Sequence, residues 1–192
     1  MIIGLTGGSG TGKSVALQIF KAIGYTTYSS DDAAKKIYHL PEIKKKVLHL
    51  LGPSAYHNEA LNKTFVRTTI FNNAALREAL NAIIHPAVTE DFKRFVEMHQ
   101  GAIIQESALL FEAGIDKRCD KIIVVTADES TRIQRLQKRD HLSEEVILQR
   151  LRSQWPEAIK IEKADYVIYN NDNNHLLEQV LIISEKLKHV HP

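Results

Sequence analysis

A chain of 192 residues with 44% hydrophobic content is long enough to bury a core, and its length suits one α/β domain carrying insertions better than two independent domains. A formal net charge of +2 gives no global field for nucleic acid or for a membrane surface, and no apolar run approaches the length needed to span a bilayer. The lone Cys119 leaves no intramolecular disulfide, and Met1 leads straight into an apolar run without a basic leader, so a cytoplasmic protein is expected.

Met1 to Thr6 reads as a short buried strand. The segment after Lys13, with Ala16, Ile19, Phe20 and Ile23 at helical spacing, reads as an amphipathic helix. Between them Gly7-Gly8-Ser9-Gly10-Thr11-Gly12-Lys13-Ser14 fits G-x-x-x-x-G-K-[ST]. Glycines let such a turn adopt backbone angles that side chains forbid, so that successive N–H groups converge on a phosphate. Lys13 adds positive charge at the β- and γ-phosphates, Ser14 offers a hydroxyl to Mg²⁺, and the helix N-terminus favours the anion. A glycine-rich turn that merely joins strand to helix is the plainer reading. The Lys-Ser ending, with strand, loop and helix in the right order, argues instead for nucleoside triphosphate binding.

Further along, a weaker strand is expected at Tyr25 to Tyr28, then strands at Ala102 to Gln105, Lys121 to Val125 and Tyr166 to Ile168. Helical patterns separate them, which implies a parallel sheet covered on both faces, with ligands outside the carboxyl ends of its strands. Residues 31–100 contain no convincing strand and read as a helical insertion, with helices at Pro41 to Leu51 and Asn73 to Ile84. The nucleotide-binding core is then 1–30 together with 101–192, all within a single domain 1–192. A helix from about Asp128 to Arg139 carries Arg132, Arg135 and Arg139 as one basic stripe, and Ser143-Glu144-Glu145 starts the next. The short tip Asp140 to Leu142 between them suits a lid, assigned to 128–155. The last helix, about Asn174 to Lys188, shows Leu176, Val180, Ile183 and Leu187 on one face, and the tail His189-Val190-His191-Pro192 has no metal-ligand spacing.

Phosphoryl transfer needs positioned phosphates, a metal, positive charge over the moving group and an acceptor for the attacking hydroxyl's proton. Asp31, just beyond the second strand, is the candidate base; Asp31 or Asp32 as the cap of a helix starting at Ala33 is the alternative. Arg139, ending the basic stripe, is the candidate lid arginine, against a solvated basic face. Glu106, after the strand at Ala102, is the candidate acid for Mg²⁺, and Glu112 could serve instead. His85-Pro86 reads as a buried histidine rather than a general base. An Asn-Lys-x-Asp guanine signature is lacking: Asn62-Lys63-Thr64-Phe65 has no acid and Asn170-Asn171-Asp172 no lysine, which favours ATP over GTP.

Over nearly its whole length the chain resembles the dephospho-coenzyme A kinases. The resemblance rests on Gly4 to Ser14, Asp31, Leu61 through Arg67 to Ile70-Phe71, His85-Pro86 and Leu109-Leu110-Phe111-Glu112. It continues through Arg135, Arg139-Asp140, Arg150 to Gln154, Pro156, Ala164 to Ile168 and Asn170-Asn171. It implies a P-loop NTPase fold with a helical substrate-binding insertion and a lid, and transfer of the ATP γ-phosphate to the ribose 3′-hydroxyl of dephospho-CoA, the last step of CoA synthesis. By position it implies Asp31, Lys13 and Arg139 as catalytic residues, and Gly8, Gly10, Thr11, Gly12, Lys13, Ser14, Val15 and Arg139 around ATP. It further implies Thr6, Asp31, His85, Leu109, Leu110 and Phe111 around the acceptor, and Ser14 and Glu106 at Mg²⁺. Ser29, Val15, Glu106, Ala108, Tyr169 and Asp172 depart from the family's usual pattern. Another P-loop small-molecule or nucleoside monophosphate kinase, and a nucleotide-dependent regulatory protein, are the alternatives.

Overall fold

The computed structural model describes residues 1–71, 73–172 and 174–188; the tail His189 to Pro192 lies outside them. In chain order the first half runs β1 (Ile2–Thr6), α1 (Lys13–Ala22), β2 (Thr26–Ser29), α2 (Ser30–Ile37), α3 (Pro41–Leu51), β3 (Tyr56–His57), β4 (Ala60–Leu61), α4 (Lys63–Phe71) and α5 (Ala74–Glu97). The second half runs β5 (Ile103–Glu106), β6 (Lys121–Thr126), α6 (Glu129–Asp140), α7 (Glu144–Arg152), α8 (Glu157–Glu162), β7 (Tyr166–Tyr169) and α9 (Leu176–Lys188). These elements fall into two compact units, Met1–Ser29 with His99–Pro192, and Ser30–Met98.

The first unit is built on a five-stranded, all-parallel sheet in the order β2-β5-β1-β6-β7. Its strands are near-continuous apolar runs because both faces are covered, as parallel sheets require. Alternation along β6 sends Ile123 and Val125 to one face, with Ile3, Leu5, Phe20 of α1 and Val180, Ile183 and Leu187 of α9. Val124 goes to the other face, with Leu110 and Phe111. The expected strands all form, but with shifted ends. Glu106 closes β5 instead of following it, and β2 begins one residue later than the apolar run and ends on Ser29. The register pairs Ser29 with Glu106 and Leu5 with Glu106, so the carboxyl ends of β2, β5 and β1 form one edge.

The second unit is helical, with α2, α3 and α4 packed on α5. Asn73 caps α5, its Oδ1 accepting the Leu76 N–H at 3.0 Å. The helix then continues to Glu97, thirteen residues past the expected Ile84. Pro86 costs it a hydrogen bond, but Leu80, Ile84, Val88 and Phe92, spaced four apart and buried, hold one face on both sides of the proline. Two further corrections apply here. Helix α2 opens at Ser30, so Asp31 and Asp32 lie inside its first turn, where carboxylates suit the dipole, and neither caps a helix at Ala33. A two-residue antiparallel ladder, β3 with β4, interrupts the helical run, turned by Asn58 and Glu59 at positive φ. Among the described residues no helix is long and apolar enough to cross a membrane.

Candidate active site

The loop between β1 and α1 holds its shape by giving its carbonyls to protein donors. The Thr11 hydroxyl donates to the Gly8 carbonyl at 2.9 Å, the Asn170 amide to the Thr11 carbonyl at 2.8 Å, and Arg132 Nε–H to the Ser9 carbonyl at 2.9 Å. The first backbone bonds of α1 run from the Val15 and Ala16 N–H groups to the Gly12 carbonyl at 3.0 and 3.1 Å, and the amides ahead of them at such a helix N-terminus favour an anion. Gly12, the N-cap, has φ +95°, and a Cβ there would run into the Asn170 amide. Gly8 has no such backbone demand; its Cβ would strike the Arg132 guanidinium and Glu157. Lys13 reaches back so that its Nζ donates to the Gly8 carbonyl at 3.2 Å, holding an ammonium over the loop. Ser14 and Val15 are exposed on the first turn of α1.

At the strand edge Glu106 is buried and accepts the Ser29 hydroxyl at 3.1 Å. A hydroxyl here gives Glu106 a hydrogen-bond donor, which an ionised carboxylate at position 29 would not. Thr6, fully buried, has a hydroxyl oxygen without a hydrogen-bond partner among the described residues. Glu112 does not belong to this edge. Its Oε1 accepts the Trp155 N–H at 2.9 Å and lies 3.5 Å from the wholly buried Lys160 Nζ, so it is an internal ion partner and not the alternative metal acid. Among the described residues no group of three or more His, Cys, Asp or Glu could hold a metal by itself. The hard oxygens of exposed Ser14 and buried Glu106 nevertheless fit Mg²⁺, which takes few protein ligands when phosphates and water complete its shell.

The basic stripe of α6 divides into three environments. Arg132 is buried beneath the loop; Arg135 donates through Nη1 to the Asn170 carbonyl at 2.9 Å and lies 3.5 Å from Asp172. Arg139 forks onto Asp140 at 2.7 and 2.9 Å, and Arg150 shares that carboxylate at 3.0 Å. The hydrogen bond from Arg139 is the main reason the Asp140 carboxyl is held below its usual range. Asp140 is itself the last residue of α6, and His141 at φ +52° ends the helix. Among the residues that the resemblance assigns to the acceptor, Leu110 is wholly buried over Gly4, where a Cβ would meet its Cδ1 at 2.6 Å. Phe111 is buried and stacks on Trp155 with centroids 5.8 Å apart, and Leu109 is half-buried.

In the Ser30–Met98 unit, Asp31 is exposed with no side-chain partner among the described residues, while Asp32 pairs with Lys35 at 2.7 Å. His85 is half-buried on α5, and desolvation holds its pKa below the ordinary value, which keeps the ring neutral. Arg132, Gln154 and Glu157 had no sequence signal as loop partners, because a stripe of arginines says nothing about what lies against it. Asn170 and Asn171 were visible as a pair. Their work is to close the loop at Thr11 and to accept the Asp128 N–H at 2.9 Å, at the start of α6.

A parallel sheet whose first strand feeds a Gly-rich loop and a Lys-Ser helix start defines a P-loop nucleotide-binding protein of the kinase type. The chain belongs to the dephospho-CoA kinase family, whose model matches residues 1–176. It is 37% identical over 182 residues to the dephospho-CoA kinase of Bacteroides fragilis, covering 93% of this chain and 89% of that one. The fold superposes on a crystal structure from Thermus thermophilus with a TM-score of 0.86 at 26% identity, over 100% of this chain and 98% of that one. It superposes on the dephospho-CoA kinase of Campylobacter jejuni with a TM-score of 0.71 at 22% identity, over 100% and 98%.

Proposed function

We propose that this chain transfers the γ-phosphoryl group of ATP to the ribose 3′-hydroxyl of dephospho-CoA, giving CoA and ADP. The reading is carried by the family match over residues 1–176, a span that includes the glycine loop, Asp31 and the Leu109–Phe111 segment. The bond from the γ-phosphorus to the β,γ-bridging oxygen breaks as the bond to the 3′-oxygen forms, and the hydroxyl proton passes to the Asp31 carboxylate. Lys13 and Arg139 supply positive charge to the phosphates, with Gly8 to Val15 around them. Ser14 and Glu106 would hold Mg²⁺, which neutralises charge on the β- and γ-oxygens when bound. The Ser30–Met98 unit, with His85, is the acceptor-binding insertion in this reading. Residues 128–155 are the lid. In this reading Leu109, the buried Leu110 and Phe111 line the acceptor site together with Thr6. The proposed setting is the cytoplasm, where ATP is abundant and Cys119, whose thiol burial pushes up to about 12, stays inert.

A panel of acceptors incubated with ATP and Mg²⁺ and read by product mass tests this. Dephospho-CoA should give CoA and ADP in equal amounts, and an analogue lacking the 3′-hydroxyl should bind without reacting. Faster consumption of nucleoside monophosphates would end the acceptor assignment. Asp31→Asn should lower kcat by on the order of 10²–10⁴-fold with ATP affinity little changed.

A further inference from the structure

We propose that Arg132, with Glu157 as its counter-ion, is a positioning residue of the nucleotide loop. The inference rests on reading Gly7 to Ser14 as the ATP site. A guanidinium whose side chain is only 7% exposed carries a large desolvation cost, and burial lowers its pKa for that reason. Its position is set by a hydrogen bond and by charge. Nε–H donates to the Ser9 carbonyl at 2.9 Å, and Nη1 lies 3.7 Å from Glu157 Oε1 at the start of α8. The other side of the same residue is held as well, because the Ser9 N–H donates to Gln154 Oε1 at 2.9 Å. Ser9 is therefore gripped at both its N–H and its carbonyl by groups outside the loop.

Two of the loop's glycines lie against the same residue, Gly8 against its side chain and Gly10 against its backbone. A Cβ at Gly8 would collide with the Arg132 guanidinium, and one at Gly10 would come within 2.9 Å of the Arg132 carbonyl and 3.2 Å of its Cα. The loop thus lies directly on α6. A charge-assisted bond to the Ser9 carbonyl fixes the peptide plane preceding Gly10, which sets where the following amides point. The guanidinium that does this is buried against Gly8 and Glu157.

The test separates positioning from packing. Arg132→Met, of similar length without the donor or charge, should weaken binding of ADP and of a non-hydrolysable ATP analogue by about 10-fold, the scale of one charge-assisted bond. The KM for ATP should rise alike and the KM for dephospho-CoA should not move. Arg132→Gln with Glu157→Gln keeps an N–H near the place of Nε and removes both buried charges; it should recover most of the affinity. Val180→Ala, a buried change on α9 outside the loop and the lid, is the control for simple loosening and should lower Tm while leaving nucleotide affinity near that of the parent protein. Unchanged nucleotide affinity in folded Arg132→Met, no recovery in the double variant, or an equal loss in Val180→Ala would each overturn the proposal. Calorimetry without acceptor keeps this result independent of whether dephospho-CoA is the substrate.

Discussion

Arg132 and Arg139 stand two turns apart on one face of α6, yet the first side chain is 7% exposed and the second 59%. The first is built into the wall of the glycine loop. The second pairs with Asp140, its own neighbour, whose carboxylate Arg150 shares. One helix face therefore spans a buried region, where Arg132 answers the Ser9 carbonyl, and an exposed one, where an ion pair between adjacent residues can exchange for an anion at little cost. A kinase needs both kinds of region: fixed amides to register the phosphates, and a cation free to arrive with them.

The strongest way to test that contrast is inside the fixed region. Lys13→Ala should cut kcat by about 10³-fold while far-UV circular dichroism and Tm stay near the parent values, because the ammonium, which donates to the Gly8 carbonyl, acts chiefly on phosphate charge. Near-normal turnover would remove the loop from catalysis. Gly12→Ala comes next. It places a side chain at φ +95° and against the Asn170 amide, so it should destabilise by about 1–3 kcal/mol in urea titration and weaken ATP binding together. A loss of affinity at full stability would mean that the loop is less fixed than described.

At the tip between α6 and α7 the effects should be smaller. Arg139→Ala should raise the KM for ATP and lower kcat by about 10-fold each, with Tm unchanged, since an exposed pair contributes little to folding. A fall in Tm without a kinetic change would reverse the contrast. The smallest expected effect is on Asp140. Its carboxyl is lowered chiefly by the hydrogen bond from Arg139, so its contribution to stability is present above the ordinary aspartate range and is lost as pH falls through the depressed folded value. In Arg139→Ala a carbon-detected NMR titration should show Asp140 moving back up toward the ordinary value. An unmoved titration would assign the depression to Arg150.

The sequence by itself determined the strands of the sheet and the phosphate loop. A strand buried on both faces has to be apolar throughout, and a loop that wraps an anion has to carry glycines at set intervals before Lys13 and Ser14. It also placed Asp31 just beyond β2 and the arginines on one face of α6, because both follow from local periodicity. The tertiary structure alone decided what those residues meet. Helix α5 passes through Pro86 because the buried row from Leu80 to Phe92 outweighs one missing hydrogen bond, a balance no local rule contains. Glu106 and Glu112 look alike in the chain, but sheet register sets one beside Ser29, and the approach of α8 pairs the other with Lys160. Gly8 is explained only by Arg132 and Glu157, which lie more than a hundred residues away in the chain. Long-range contacts of that kind have no periodic trace, because they depend on which surfaces come together when the helices pack on the sheet.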